Sequence, residues 1–97
     1  MRHKIILAPE AIEDLRRLSA RQRALVRDGL EQYLRYQPEQ VGQSRIKRLR
    51  GLRRPQYRLR LDEFRVFYDV MGDKVEILAV VSKAAAVRWL EEKGEEP

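Results

Sequence analysis

The chain has 97 residues, 43% of them hydrophobic, which suits one small folded domain spanning 1–97 and no second one. Cysteine is absent and histidine occurs once, which argues against a disulfide framework, a thiolate metal site and a zinc centre, so no metal or cofactor is expected. With 21 Lys+Arg against 15 Asp+Glu the net charge is +6, which suits a polyanionic partner but also a merely solubilised surface.

A short first strand is expected at 3–7. Its apolar run, Ile5 to Ala8, is too short for a signal-peptide core and no small-residue cleavage site accompanies it. No apolar run approaches the roughly 18 residues that a membrane span needs, so a soluble cytoplasmic protein is expected. His3 opens the strand beside the terminus and is read as a surface residue. Pro9 fits the first turn of a helix, whose positive end Glu10, Glu13 and Asp14 favour. Ala11, Ile12, Leu15 and Leu18 recur at helical spacing on its inner face. Ser19 followed by Gln22 is a capping box, so a second helix starts there and runs to Pro38 with Val26, Leu30, Tyr33 and Leu34 inward.

After a polar loop at 38–44 the period changes from helix to strand. Ile46 begins a strand that Gly51 and Pro55 interrupt. Tyr57, Leu59 and Leu61 alternate with Arg58 and Arg60. Phe64, Val66, Tyr68 and Val70 alternate with Arg65, Phe67 and Asp69. Gly72-Asp73 reads as a hairpin turn, and 75–81 as a strand buried on both faces. A final helix is expected from Lys83 to Glu92 with Val87 and Leu90 inward, and its weak apolar face and acidic tail (82–97) suggest marginal docking. The fold class is α+β: a helical hairpin packed on a small, mostly antiparallel sheet of four to five strands, in the order β-α-α-β-β-β-β-α.

The positive charge is concentrated in the middle of the chain. From Arg45 to Arg65 there are nine basic residues and two acids, Asp62 and Glu63. If those two acids form the turn, Leu61 faces Phe64, Arg60 faces Arg65, Leu59 faces Val66 and Arg58 faces Phe67. Alternation then puts Tyr57, Leu59, Leu61, Phe64, Val66 and Tyr68 on one side and Arg58, Arg60 and Arg65 on the other. Like charges directly opposite one another destabilise a sheet by roughly 0.2–1 kcal/mol. A bound phosphate would offset this, because guanidinium forks match phosphate oxygens and stay charged. From the residues alone, pairing of these arginines with Asp69, Glu76 or the C-terminal glutamates is equally open. Tyr57 and Tyr68 fall on the core side, with hydroxyls expected to find partners there.

Lys-Arg-Leu-Arg-Gly-Leu (47–52), Tyr-Arg-Leu-Arg-Leu (57–61) and Phe-Arg-Val-Phe-Tyr-Asp-Val (64–70) follow two helices of which the first carries Ala11, Asp14 and Leu15. In this order the segments resemble the RelE/ParE superfamily of type II toxins, specifically its RelE branch, over roughly residues 3–82. The resemblance implies a toxin that cleaves mRNA in the ribosomal A site and is silenced by a cognate antitoxin encoded beside it, in a hetero-oligomer. It implies that Arg58, Arg60 and Arg65 line the RNA site. The ribose 2′-OH would attack the adjacent phosphorus, the 5′-oxygen would leave, and a 2′,3′-cyclic phosphate would result. Fixed cations would stabilise the developing charge without a metal.

The sequence departs from the family at its end. Members usually close with a basic residue and then a tyrosine, whereas residues 80–90 read Val-Val-Ser-Lys-Ala-Ala-Ala-Val-Arg-Trp-Leu. Lys83 stands in for the basic residue as the candidate acid or base, and the tyrosine's neighbourhood holds Arg88 and Trp89. Trp89 is read first as a packing residue and second as a base-stacking one. Lys47, Arg48, Arg50, Arg53, Arg54 and Arg88 are candidates for further RNA contacts. The missing tyrosine keeps an alternative alive: a non-nuclease toxin or binding protein of the same fold, such as a ParE-like gyrase inhibitor or an impaired RNA binder.

Overall fold

Ser19 caps the second helix as its sequence demands. Its hydroxyl accepts from the Gln22 amide at 3.1 Å, and the Gln22 side chain accepts from the Ser19 amide at 3.0 Å. In this computed structural model, which describes residues 1–42 and 45–97, the strand β1 (Lys4–Leu7) leads into α1 (Pro9–Arg16) and α2 (Ala20–Leu34). Arg23 closes the hairpin by donating to the Leu15 and Leu18 carbonyls at the end of α1. The expected 38–44 loop follows; Gln43 and Ser44 lie outside the described residues.

Then come β2 (Ile46–Arg48), β3 (Tyr57–Leu61), β4 (Phe64–Met71), β5 (Lys74–Ser82), a single 3-10 turn at Lys83–Ala85, and α3 (Ala86–Lys93). Among the described residues the strands form one five-stranded sheet ordered β1-β5-β4-β3-β2, antiparallel except for the β1–β5 pair. Element order and fold class are those expected from the periodicities.

The helical hairpin covers one face of the sheet. Ala11, Leu15, Val26, Leu30 and Leu34 from the helices meet Ile46, Leu59, Leu61, Val66, Tyr68, Val75, Ile77 and Val80 from the strands in one buried core. Gly29 lets α2 approach the sheet closely, since a methyl group there would lie 2.5 Å from the Leu61 side chain. Asp14 on α1 accepts from the Val80 amide at 2.9 Å, satisfying backbone of β5 that β1 is too short to reach. Both core tyrosines find partners: Tyr68 donates to the Pro38 carbonyl at 2.6 Å and Tyr57 to Glu39 at 3.4 Å. Burial raises the hydroxyl pKa of both.

Two expectations need correction. His3 is not a surface residue: it is 6% exposed. Its amide donates to the Arg35 carbonyl at 2.7 Å, and the Arg35 guanidinium donates to the His3 carbonyl at 2.9 Å, so the strand start is tied down at the end of α2. Val87 does not face inward but is 70% exposed; Ala86 and Trp89 make the inner side of α3 instead. No helix among the described residues is long and apolar enough to cross a membrane.

Candidate nucleic-acid interface

The sheet face opposite the hairpin holds the candidate site. β3 and β4 pair as alternation requires, with Tyr57↔Tyr68, Arg58↔Phe67, Leu59↔Val66, Arg60↔Arg65 and Leu61↔Phe64 in register. Burial along β3 alternates accordingly, the apolar residues buried and the arginines half-exposed. Arg58, Arg60 and Arg65 therefore share one face, and Lys47 of β2, opposite Arg58, joins them. The Arg58 guanidinium is harder to keep charged than an ordinary arginine, first because it is partly buried and then because Arg65 and Arg60 repel it. An anion on this face would relieve that repulsion.

The acids of the same face are engaged elsewhere. Asp69 and Glu76, paired with each other across β4 and β5, both take Arg54, at 2.8 and 2.5 Å. Glu95 takes Arg53 at 2.6 Å. Arg53 and Arg54, expected among the RNA contacts, are thus tied into ion pairs with the acids that could have neutralised the arginine cluster. Among the described residues neither Arg60 nor Arg65 has an ion-pair partner.

Arg65 occupies a different position from its neighbours. It is 8% exposed, and its Nη1 donates to the Asp62 carbonyl at 2.8 Å and the Phe64 carbonyl at 2.9 Å. The backbone amide of Lys83 donates to the Glu63 carbonyl at 2.7 Å, which brings the start of the 3-10 turn beside the same hairpin turn. Lys83 itself is exposed at that end of the sheet.

The remaining candidates separate. Arg48 lies on the hairpin side of the sheet, 5.0 Å above the Tyr57 ring, and donates to the Gln56 carbonyl. It is not brought to the arginine face. Arg50 is exposed in the loop after β2, and Arg88 is exposed on α3.

Three further residues shape the face, and Trp89 is the packing residue it was first read to be. Phe67 shares the arginine face, and Trp89 lies flat on it with ring centroids 4.8 Å apart and planes 4° from parallel. α3 therefore rests on the open face as a wall beside Arg58. Arg45 sits 4.7 Å above the Tyr33 ring and donates to the Arg60 carbonyl at 3.1 Å, fixing the outer edge of β3. The register already puts Phe67 opposite Arg58; nothing in an isolated helix sequence says which sheet face its tryptophan will choose.

No group of three or more metal-ligating side chains gathers among the described residues. The guanidinium groups gathered on one face suit the arrangement to holding an anion by charge.

Known proteins support the fold independently. The chain is similar in structure to a chain of the RelBE2 toxin–antitoxin complex of Mycobacterium tuberculosis, at TM-score 0.69 and 22% identity over 86% of this chain and 100% of that one. It is similar to a chain of the RelB–RelE antitoxin–toxin complex of Methanococcus jannaschii, at 0.64 and 18% over 87% and 96%. For the RelE–RelB complex of Pyrococcus horikoshii the values are 0.63 and 24% over 86% and 97%. Among curated protein sequences none matches. A family model does match, over residues 5–86, a span that takes in all of the sheet but Lys4, both hairpin helices and all three arginines. Its description is the ParE toxin of the type II toxin–antitoxin system parDE, whereas the sequence motifs resembled the RelE branch of the same superfamily. On that match the chain belongs to the ParE toxin family of type II toxin–antitoxin systems.

Proposed function

We propose that the protein is the toxin of a type II toxin–antitoxin pair and that its open sheet face binds RNA phosphate as the mRNA-cleaving members of the superfamily do. The observation that carries this reading is the cross-strand pair of Arg60 and Arg65 with Arg58 beside it, on a face whose acids Asp69 and Glu76 are taken by Arg54. Gathering like charges costs stability that a structural surface has no reason to spend. In the reaction, the 2′-OH attacks phosphorus as the bond to the 5′-oxygen breaks, leaving a 2′,3′-cyclic phosphate. The proton leaves the 2′-oxygen and one must reach the 5′-oxygen; Lys83, beside the turn, is the candidate to carry it. The arginines stabilise charge on the phosphorane and do not act as bases. mRNA on the ribosome is the substrate, and a cognate antitoxin is the protein partner, as in the toxin–antitoxin complexes that share the fold.

The test is induced expression of wild type and of R58Q/R60Q, scoring growth arrest together with mRNA cleavage in a ribosome-supplemented extract. Wild type should arrest growth and cleave, and the variant should do neither. A wild type that arrests growth and cleaves nothing would sink the nuclease reading.

A second reading has its own support. Tyr57 and Tyr68 face the hairpin, His3 is buried at the start of β1, and Trp89 is spent on Phe67. No described tyrosine or histidine of the sheet thus reaches the arginines to move a proton, and the matching family is that of ParE. On this reading the toxin blocks gyrase without cutting nucleic acid, and inhibition of DNA supercoiling by the purified protein distinguishes it.

A further inference from the structure

We infer that Arg65 is a positioning residue of the arginine site: it clamps the β3–β4 turn and so holds Arg58 and Arg60 as the phosphate ligands. The inference rests on the anion-binding reading above and assigns roles within it.

Three observations carry it. Arg65 is 8% exposed, whereas Arg58 and Arg60 on the facing strand are half-exposed, so the surface offered to a ligand is theirs. Its Nη1 is already engaged by the Asp62 and Phe64 carbonyls at 2.8 and 2.9 Å. Asp62 adopts φ of +56°, alone in positive φ among the described non-glycine residues. Glu63 does not share the positive φ, and positive φ at the first turn residue alone is the pattern of type II′ turns, which ordinarily place glycine there. An aspartate in that conformation needs support, and the clamp supplies it. With Lys83 bound to the Glu63 carbonyl, three consecutive turn carbonyls (62, 63 and 64) are held by neighbours. The turn fixes the pairing of Leu61 with Phe64, and through it where Arg60 points.

The test measures binding of a short fluorescein-labelled oligouridylate to the full chain by anisotropy across a salt series. Each phosphate contact to a single strand contributes about 0.7 to the slope of log affinity against log salt. R58Q and R60Q should each lower the slope by about 0.7. R65Q should weaken binding roughly tenfold, the worth of one or two hydrogen bonds, and leave the slope unchanged. D62G alone should bind as wild type, and D62G/R65Q should recover wild-type affinity because glycine holds the turn unaided. If R65Q does not fold by itself, the double variant carries the test. A slope lowered by about 0.7 without Arg65 would make it a direct ligand and overturn the inference, as would failure of D62G to rescue. Wild-type binding that ignores salt, R58Q and R60Q would instead overturn the anion-site reading.

Discussion

Arg54 and Asp69 form an ion pair of 2.8 Å in which the carboxylate is almost wholly buried. Asp69 also accepts from the Gln56 amide at 2.8 Å, and the Gln56 side chain accepts from the Val70 amide. The pair thus staples the loop before β3 to β4, directly beside the arginine cluster. Removing a buried carboxylate leaves its donors unsatisfied. Asp69→Ala is expected to cost about 2–3 kcal/mol, less than a fully buried pair because Arg54 is partly solvated. Urea unfolding should show a lower midpoint at unchanged slope.

Trp89 and Val87 sit two residues apart on α3 and should behave oppositely. Trp89→Ala removes the stack on Phe67 and is expected to cost about 2–3 kcal/mol, below the loss for a fully buried tryptophan. Protease sensitivity of 83–97 should rise with it. Val87→Ser, at an exposed site, should stay within about 0.5 kcal/mol of wild type.

Gly29→Ala pits two effects against each other. Alanine gains up to about 1 kcal/mol of helix propensity. Its methyl group would lie 2.5 Å from the buried Leu61 side chain, and overpacking costs about 1–3 kcal/mol. The clash should win, lowering the melting temperature, and because Leu61 adjoins Arg60 it should also weaken the RNA binding proposed for that face.

Asp14 predicts a pH dependence. Burial raises its pKa above the ordinary 3.8, partly offset by the bond from Val80. A carboxyl whose folded pKa is raised binds protons more tightly when folded, so its contribution is most favourable below about 3.8 and is lost as pH rises through the folded value. Asp14→Asn keeps an acceptor for the Val80 amide without the buried charge. It should therefore match wild type at low pH and equal or exceed it at neutral pH, in denaturant midpoints taken across the range.

The β3–β4 register was legible in the sequence because alternation has a period of two and the two acids leave a symmetric turn. The helical hairpin was legible through the Ser19–Gln22 box. What was not legible depends on contacts between distant segments. Arg53 and Arg54 look like two more loop cations until the fold delivers Glu95, Asp69 and Glu76 to them. The bulge at Phe67/Tyr68 is hidden because 77–81 is apolar throughout. The docking of the C-terminal segment looked marginal from its apolar face alone. Its Trp89 stack and the paired backbone bonds between Arg54 and Glu95 tie it at both ends.

The parallel pairing of β1 with β5 joins Lys4 to Lys74, seventy residues on. During synthesis the first strand must therefore wait for the last one before its backbone groups find partners. Loop closure over that distance has to precede any gain from the pairing, which makes it a late event in folding. The arginine hairpin is local and can form early, but the sheet that supports it on the β5 side cannot. A nascent chain consequently carries the cationic motif before it carries the finished surface.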